Sequence, residues 1–477
     1  MKKYLKISLS ILLLLLIGYF GYKHFKKTTI LLDVIHEDAE SVIKIGVHDI
    51  TKTLILDALW SPSYYWKKTG SYKKDKKKDS LKGDDKGVDL KPFSIVFYTI
   101  KAVENTLFTT FKIDDTEAFE NYINKYSKKK SITILADSKG YKHLSLGKSK
   151  LILAWNTEKL AVALTSGTSI EKLKTVFEDV LLHNKLISDK NNDIIKKLSA
   201  ASDHITFARK ESLIGLNFKD GQAIIDGTIH TEIPNTFKTN ITHNRLPEAS
   251  LQMYFDANFD KQENNNILSR RLKDLSFFTK NNLEVKELVD RTNGFLSITI
   301  RGTTKQADTI VSYEYDDNFE KVAVKTLEEK KVPKVSMHIG TNDNESLEEY
   351  LTTQGAIKNN ILTSIPYYTF YAEENSNGIL FNTTKETTVT EEKNSSSFFR
   401  LETSFDGLQD DMSIPGANDI FSLLNTLEIE ANQVEGTNQI EIQGKLSAKQ
   451  EDINIIPQIF FGLQQKKADI FWDKEDL

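Results

Sequence analysis

The sequence predicts an α+β protein in which an N-terminal transmembrane helix precedes a duplicated module of antiparallel β-sheet, with helices packed mainly on one face. Three observations carry this. An uncharged apolar run opens the chain, strand-like alternation and helical stripes interleave through the rest, and the order of elements in the first half recurs in the second.

The apolar run is Ile7 to Tyr22, sixteen residues without a charge, flanked by Lys6 and Lys23. At about 1.5 Å per residue it reaches roughly 24 Å, and snorkelling lysines cover the remainder of a hydrocarbon layer of about 30 Å. Ile7, Ile11, Leu14, Ile17 and Phe20 are taken as anchor positions along this helix. Its six Leu, three Ile and one Phe favour insertion by roughly 3–6 kcal/mol on the translocon scale. A cleaved signal peptide would need small residues where Tyr22, Lys23, His24 and Phe25 stand. Lysines balance across the span, so orientation follows the usual preference of a single N-terminal span. Residues 1–29 become a cytoplasmic tail and anchor, and the bulk of the chain is periplasmic or otherwise extracytoplasmic.

Composition narrows the chemistry. The absence of cysteine excludes disulfides, thiolate metal sites, thiol catalysis and a lipidated N-terminus. The net charge of −4 becomes −10 without the six lysines of residues 1–29, and −15 without the further +5 of residues 67–91. So acidic a body repels phosphate backbones, and nucleic acid is not an expected partner.

The first module, residues 30–240, opens with a strand at Ser41 to Val47 and a helix with apolar positions Ile50, Leu54, Ile55, Ala58 and Leu59. That helix ends at Pro62 beside an aromatic cluster, Trp60, Tyr64, Tyr65 and Trp66, which could stack a sugar ring, sit against lipid headgroups or cover the helix end. Residues 67–91, with ten Lys and five Asp, read as a flexible solvated loop. Two strands, Phe93 to Lys101 and Thr106 to Ile113, precede a helix with a stripe of Phe119, Tyr122, Ile123 and Tyr126, capped from Asp114. A meander follows (132–136, 142–146, 151–155, 160–164), then a helix with a Thr168/Glu171 capping box, a short helix at Asp193 to Ala200, and a hairpin turning at Asp220-Gly221.

The second module, residues 241–477, repeats this order: a strand at Leu251 to Phe255, a helical region from Ile267 to Val289, and strands at Phe295 to Arg301 and Thr309 to Tyr315. The segment from Val335 to Leu351 parallels that from Thr109 to Ile123, with Glu, Glu and Tyr coinciding at 117/345, 120/348 and 122/350. Asn377-Gly378 marks a hairpin, a strand at Phe398 to Phe405 and a helix at Asn418 to Leu427 follow, and Ile442, Gly444 and Leu446 match Ile225, Gly227 and Ile229.

Ile35, Asp38, Ala39, Val42, Ile43 and Ile45, lying soon after the anchor and ahead of a helix that ends at an aromatic-Pro step, resemble the opening of bacterial single-span envelope proteins classed only as domains of unknown function. The resemblance covers some thirty residues. It implies a tethered exported α+β domain and transfers no catalytic residue.

Chemical motifs fail on context. Three S-x-x-K matches and Lys68-Thr69-Gly70 stand in the wrong order for a penicillin-recognising serine enzyme. The nine histidines form no zinc motif, and His36-Glu37-Asp38, the densest ligand cluster, reads as a solvated turn. Asn342, Asp343, Asn344 and Glu345 lack the glycine and distal glutamate of a calcium loop. No catalytic, cofactor or metal residue is assigned. The expected function is a non-enzymatic binding or scaffold module of the cell envelope, meeting a protein, lipid or polymer. The alternatives are a carrier of lipid or another hydrophobic ligand, and a hydrolase with dispersed catalytic residues.

Overall fold

The computed structural model describes residues 28–72, 87–88, 93–146, 150–232 and 237–472, the last apart from 240, 247, 258–265, 267–268, 271, 274–277, 280, 316–318, 343–345, 364, 366, 376, 386–390, 413 and 415. The segment Ile7 to Tyr22, with all five anchor positions, lies outside the described residues, as does most of 73–92. Among the described residues no helix is long and apolar enough to cross a membrane. The fold is α+β with extensive antiparallel sheet, and the chain divides into two compact units, Met1–Phe218 and Lys219–Leu477.

The first unit runs β1 (Ala39–Ile45), α1 (Val47–Trp60), α2 (Pro62–Tyr72), β2 (Ile95–Ile100), β3 (Val103–Lys112), α3 (Thr116–Lys130), β4 (Leu135–Ala136), β5 (Lys142–Leu146), β6 (Leu151–Trp155), β7 (Lys159–Thr165), α4 (Ile170–Leu181), α5 (Asp193–Ala200), β8 (Ile205–Arg209) and β9 (Ser212–Lys219). Its strands lie in the order β9-β8-β1-β2-β3-β7-β6-β5-β4, every neighbour antiparallel. Register explains the two-sided core. Phe108, Ala163 and Ile152 stand opposite one another and join Val42, Tyr98 and Ala208 in a cluster that takes in Leu173, Phe177 and Val180 of α4 and Ile195 and Leu198 of α5. Phe111, Leu160 and Trp155 share the opposite face, where Phe119 and Ile123 of α3 cover them. Helices therefore occupy both faces of this sheet rather than mainly one.

Within β1 the alternation buries Val42 and Lys44. The Lys44 ammonium survives burial because it donates to the carbonyls of Leu198 (2.6 Å) and Ala201 (2.8 Å) at the C-terminal end of α5, where the helix dipole favours a cation. Local capping departs from expectation twice. Asp115, not Asp114, caps α3 by accepting from the Ala118 N–H, and Ser169 precedes α4 without a side-chain cap, while Thr168 donates to the Glu104 carbonyl. β8 was not foreseen from the sequence, because its buried positions are the small Thr206 and Ala208 while Phe207 is only half-buried. The loop assigned to 67–91 also needs correcting at its ends, since Lys67 to Tyr72 continue α2 and Val88 is buried, bridged to Ile113.

The second unit comprises β10 (Gln222–His230), β11 (Ile241–Arg245), β12 (Leu251–Asp256), α6 (Val285–Arg291), β13 (Thr292–Tyr315), β14 (Lys321–Thr341), α7 (Leu347–Thr353), β15 (Ile357–Lys358), β16 (Ile361–Leu362), β17 (Phe370–Asn375), β18 (Gly378–Asn382), β19 (Glu391–Ser395), β20 (Ser397–Ser404), α8 (Phe405–Asp411), α9 (Asn418–Phe421), β21 (Leu424–Gln433), β22 (Gln439–Ala448) and α10 (Ile455–Trp472). Its main sheet has the order β10-β22-β21-β20-β12-β13-β14-β18-β17-β16-β15, again wholly antiparallel, and β11 pairs with β19. The strands expected at 295–301 and 309–315 are one strand. A register shift between Ile300 and Thr303, beside Gly302 at φ +67, bends it without breaking it, and β13 and β14 continue as a two-stranded ribbon to Tyr315 opposite Lys321. The helix expected through Leu427 stops at Phe421, and Leu424 onward is strand.

Candidate functional site

The aromatic cluster singled out in the sequence lies on α1 and α2, and these helices carry their polarity the wrong way round for a solvated surface. Ser61, held off helical geometry by Pro62, separates them, and Pro62 then serves as the first residue of α2. On α1 the buried residue is Asp57, at 5 % exposure, whereas Ile55, Leu56, Leu59 and Trp60 face outward, with Leu59 at 69 % and Trp60 at 85 %. Trp66 of α2 is 82 % exposed. The helical stripe foreseen for α1 is thus present but split, since Ile50, Leu54 and Ala58 are half-buried while Ile55 and Leu59 lie in solvent.

A polar hinge holds the two helices together. The Tyr65 hydroxyl donates a hydrogen bond to the Asp57 carboxylate, the Ser61 N–H donates to the Asp57 carbonyl at 2.8 Å, and Tyr64 and Tyr65 meet edge to face at 5.8 Å. Burial, reinforced by the Asp57 charge, pushes the Tyr64 phenol up from its ordinary value. Tyr64 and Tyr65 therefore do cover the helix junction, as the simplest reading of the cluster had it, but Trp60 and Trp66 do not. A Tyr65→Phe substitution removes a donor from a buried carboxylate and is expected to cost about 1–3 kcal/mol. Hydrogen exchange should rise across Pro62–Tyr72 while α3 and α4 stay protected; unchanged exchange across α2 would show that the hinge does not hold it.

The base of α1 rests on a buried histidine. His204 accepts from the Phe218 N–H through Nδ1 at 2.9 Å and lies 2.9 Å from the Thr53 hydroxyl through Nε2, an arrangement that requires the neutral ring. Burial lowers its pKa against the opposing charges of Asp49 and Asp203, and burial likewise lowers those of His143 and His338. In the unfolded chain these rings bind protons near pH 6.5, whereas the folded ones resist. Their contribution is complete above about pH 6.5 and is lost as pH falls toward the lower folded values, before most carboxylates titrate. The urea midpoint should accordingly drop between pH 7.5 and pH 5.5; a flat profile over that window would contradict the assignment.

The second unit holds an open hollow of about 480 Å³ on its sheet, lined by residues of β10, β20, β21 and β22 that include Ile225, Asp226, Arg400, Glu430, Gln443 and Lys445. Arg400 is engaged there by Glu402 at 2.6 Å and Glu430 at 3.6 Å. Another open hollow of about 250 Å³ lies beside the ribbon, near Gln306, Lys330 and Tyr367. Among the described residues no group of three or more His, Asp or Glu is arranged to hold a metal ion.

The other sequence candidates disperse. His36 is buried, not part of a solvated turn: its Nδ1 accepts from the Asp38 N–H at 3.0 Å and its Nε2 lies 3.6 Å from Asp179, while the Asp38 side chain is exposed. Asn342 spends its amide on the carbonyls of Asp290 and Thr292, and Asp343, Asn344 and Glu345 lie outside the described residues. The wet face of α1 was not foreseen, since a helical stripe shows amphipathicity without showing which side is packed. The scarcity of charge between Thr53 and Trp66, with Asp57 alone, was the available signal.

No family model matches this chain, and no curated protein matches it. Two solved structures show a likeness. Crystal form IV of TP0453 has 8 % identity and a TM-score of 0.23 over 40 % of this chain and 76 % of that one, and crystal form III has 8 % identity and a TM-score of 0.19 over 72 % and 89 %. Likenesses at these scores carry no argument about fold or function.

Proposed function

We propose that this chain is a membrane-tethered binding or scaffold protein of the cell envelope, built from a duplicated α+β module held outside the cytosol by the span at Ile7 to Tyr22. The observation that carries the binding role is the apolar ridge on α1 and α2. Five large hydrophobic side chains face outward there while an aspartate faces inward, an arrangement that costs solubility unless a partner covers it. The sheet hollow, open and carrying the charged side chains of Asp226, Arg400, Glu428, Glu430 and Lys445 beside three isoleucines, also suits surface recognition better than enclosure of an apolar ligand.

Support for duplication comes from strand order. Reading β21-β20-β12-β13-β14-β18-β17-β16-β15 in the second unit against β9-β8-β1-β2-β3-β7-β6-β5-β4 in the first, each strand has a counterpart at the same place in sequence and in sheet. An offset of 228 carries the buried Phe119 and Ile123 of α3 onto the buried Leu347 and Leu351 of α7. An offset of 217 relates the glycines and aliphatics of β10 to those of β22, and the antiparallel register sets Asp226 opposite Gln443, positions equivalent under that same offset. Unrelated modules would have to agree on all three.

Fractionation tests the tether. The full-length chain should stay with membranes through an alkaline carbonate wash, and protease applied outside the cytoplasmic membrane should digest everything beyond residue 30. Recovery in the soluble fraction, or protection of the bulk from outside protease, would overturn the proposal.

A further inference from the structure

The occupant of the α1–α2 ridge can be named from chemistry around it, on the proposal that Ile7 to Tyr22 spans a bilayer. Leu31 and Ile35 are already buried in the core of the first unit. Nine residues from Tyr22 to Leu31 extend at most about 32 Å, so this unit cannot leave the neighbourhood of the membrane surface. From Ile55 to Trp66 the large exposed side chains are Ile55, Leu56, Leu59, Trp60 and Trp66, with Pro62 and Ser63 exposed between the tryptophans, and tryptophan concentrates where an apolar layer meets a polar one. Lys52 and Lys67 flank this stretch, both exposed, and the run 67–91 that Lys67 opens has a net charge of +5 in sequence, which matches anionic headgroups in sign. Asp57, the one acid of the stretch, points inward, away from such headgroups.

We infer that α1 and α2 bed into the headgroup layer of an anionic bilayer, the same membrane the N-terminal segment crosses, with Leu59, Trp60 and Trp66 reaching the acyl boundary and Lys52 and Lys67 at the phosphates. The first unit is then held flat on the lipid by two contacts, a span and an interfacial hairpin.

The test uses the full-length protein in nanodiscs of mixed phosphatidylglycerol and phosphatidylcholine, with or without bromine on the acyl chains, read by tryptophan emission. The chain has four tryptophans, and Trp155 is buried in the first unit. Brominated lipid should quench a substantial part of the wild-type emission, and W60F/W66F, altered only at exposed positions, should lose that quenching. Removing phosphatidylglycerol should reduce it several-fold. Equal emission in both lipids, or equal quenching in the double variant, overturns the inference while leaving the tether intact if the chain still migrates with the discs. A ridge covered instead by a second copy would give unquenched emission with a doubled protein mass per disc. A chain that does not migrate with the discs overturns tether and inference together.

Discussion

Trp155→Ala should destabilise the first unit by about 3–5 kcal/mol, the usual cost of emptying a large aromatic site. Trp155 is 1 % exposed, and its ring meets Phe119 of α3 edge to face at 5.8 Å, with Leu160 opposite on β7. Burying roughly 200 Å² of aromatic surface at about 25 cal/mol per Å² gives about 5 kcal/mol, so area and mutational precedent agree. Because Trp155 is the largest of the sheet residues that pack with Phe119 and Ile123 of α3, the loss should extend to α3 as a whole. Denaturant unfolding followed by circular dichroism would measure it, with Trp155→Phe as the control that keeps an edge-to-face partner and costs about half as much or less. A loss below about 1 kcal/mol for the alanine variant would mean that α3 is not packed on Trp155.

The second large effect belongs to Gly378→Ala. Gly378 opens β18 at φ +143 and stands opposite Gly340, and a methyl there would lie 2.1 Å from the Ile339 carbonyl oxygen and 2.9 Å from the Gly340 Cα. The His338 Nε2 also lies 2.9 Å away and could turn aside, but the other two obstacles are backbone of the neighbouring strand, which no rotamer change relieves. Adding a strained backbone, about 1–3 kcal/mol, to overpacking, about 1–3 kcal/mol, gives a loss of roughly 2–6 kcal/mol. Hydrogen exchange should show it first along β14, β17 and β18. Gly416→Ala is the comparison, because Gly416 also has positive φ but has open space where a methyl would go, and it should pay only the conformational part. Equal losses at the two positions would refute the close approach of β14 and β18.

The same glycine shows how much the sequence disclosed. Asn377-Gly378 announces a hairpin, and one is there, but Asn375 pairs with Gly378, so Gly378 belongs to the strand and not to the turn, and the Asn377 N–H donates to the Asn375 side chain. Glycine is required for the strand-to-strand approach, not for the turn. Where side-chain alternation and burial agree, as in β2, β6, β7 and α4, elements were legible to within a residue or two, whereas β3 begins three residues before the expected Thr106. They were misread where a local signal competed with pairing. Gly302 looked like the end of a strand that in fact bends through it, and Thr168 looked like a cap yet its hydroxyl reaches the Glu104 carbonyl. At the candidate site the residue types were legible and their direction was not, because Ile55 and Leu59 continue a stripe whose other members are half-buried.

Everything functional proposed for this chain depends on the α1–α2 ridge being covered in the cell. Hydroxyl-radical footprinting of the full-length protein, first in native membranes and then after detergent extraction and removal of the lipid, measures that cover side chain by side chain. Leu59, Trp60 and Trp66 should be oxidised several-fold more slowly in the membranes than in the extracted protein, while Leu135, exposed on β4, reacts alike in both. Equal oxidation of Trp60 and Trp66 in the two preparations would mean that the ridge is bare in place, and the account would be wrong.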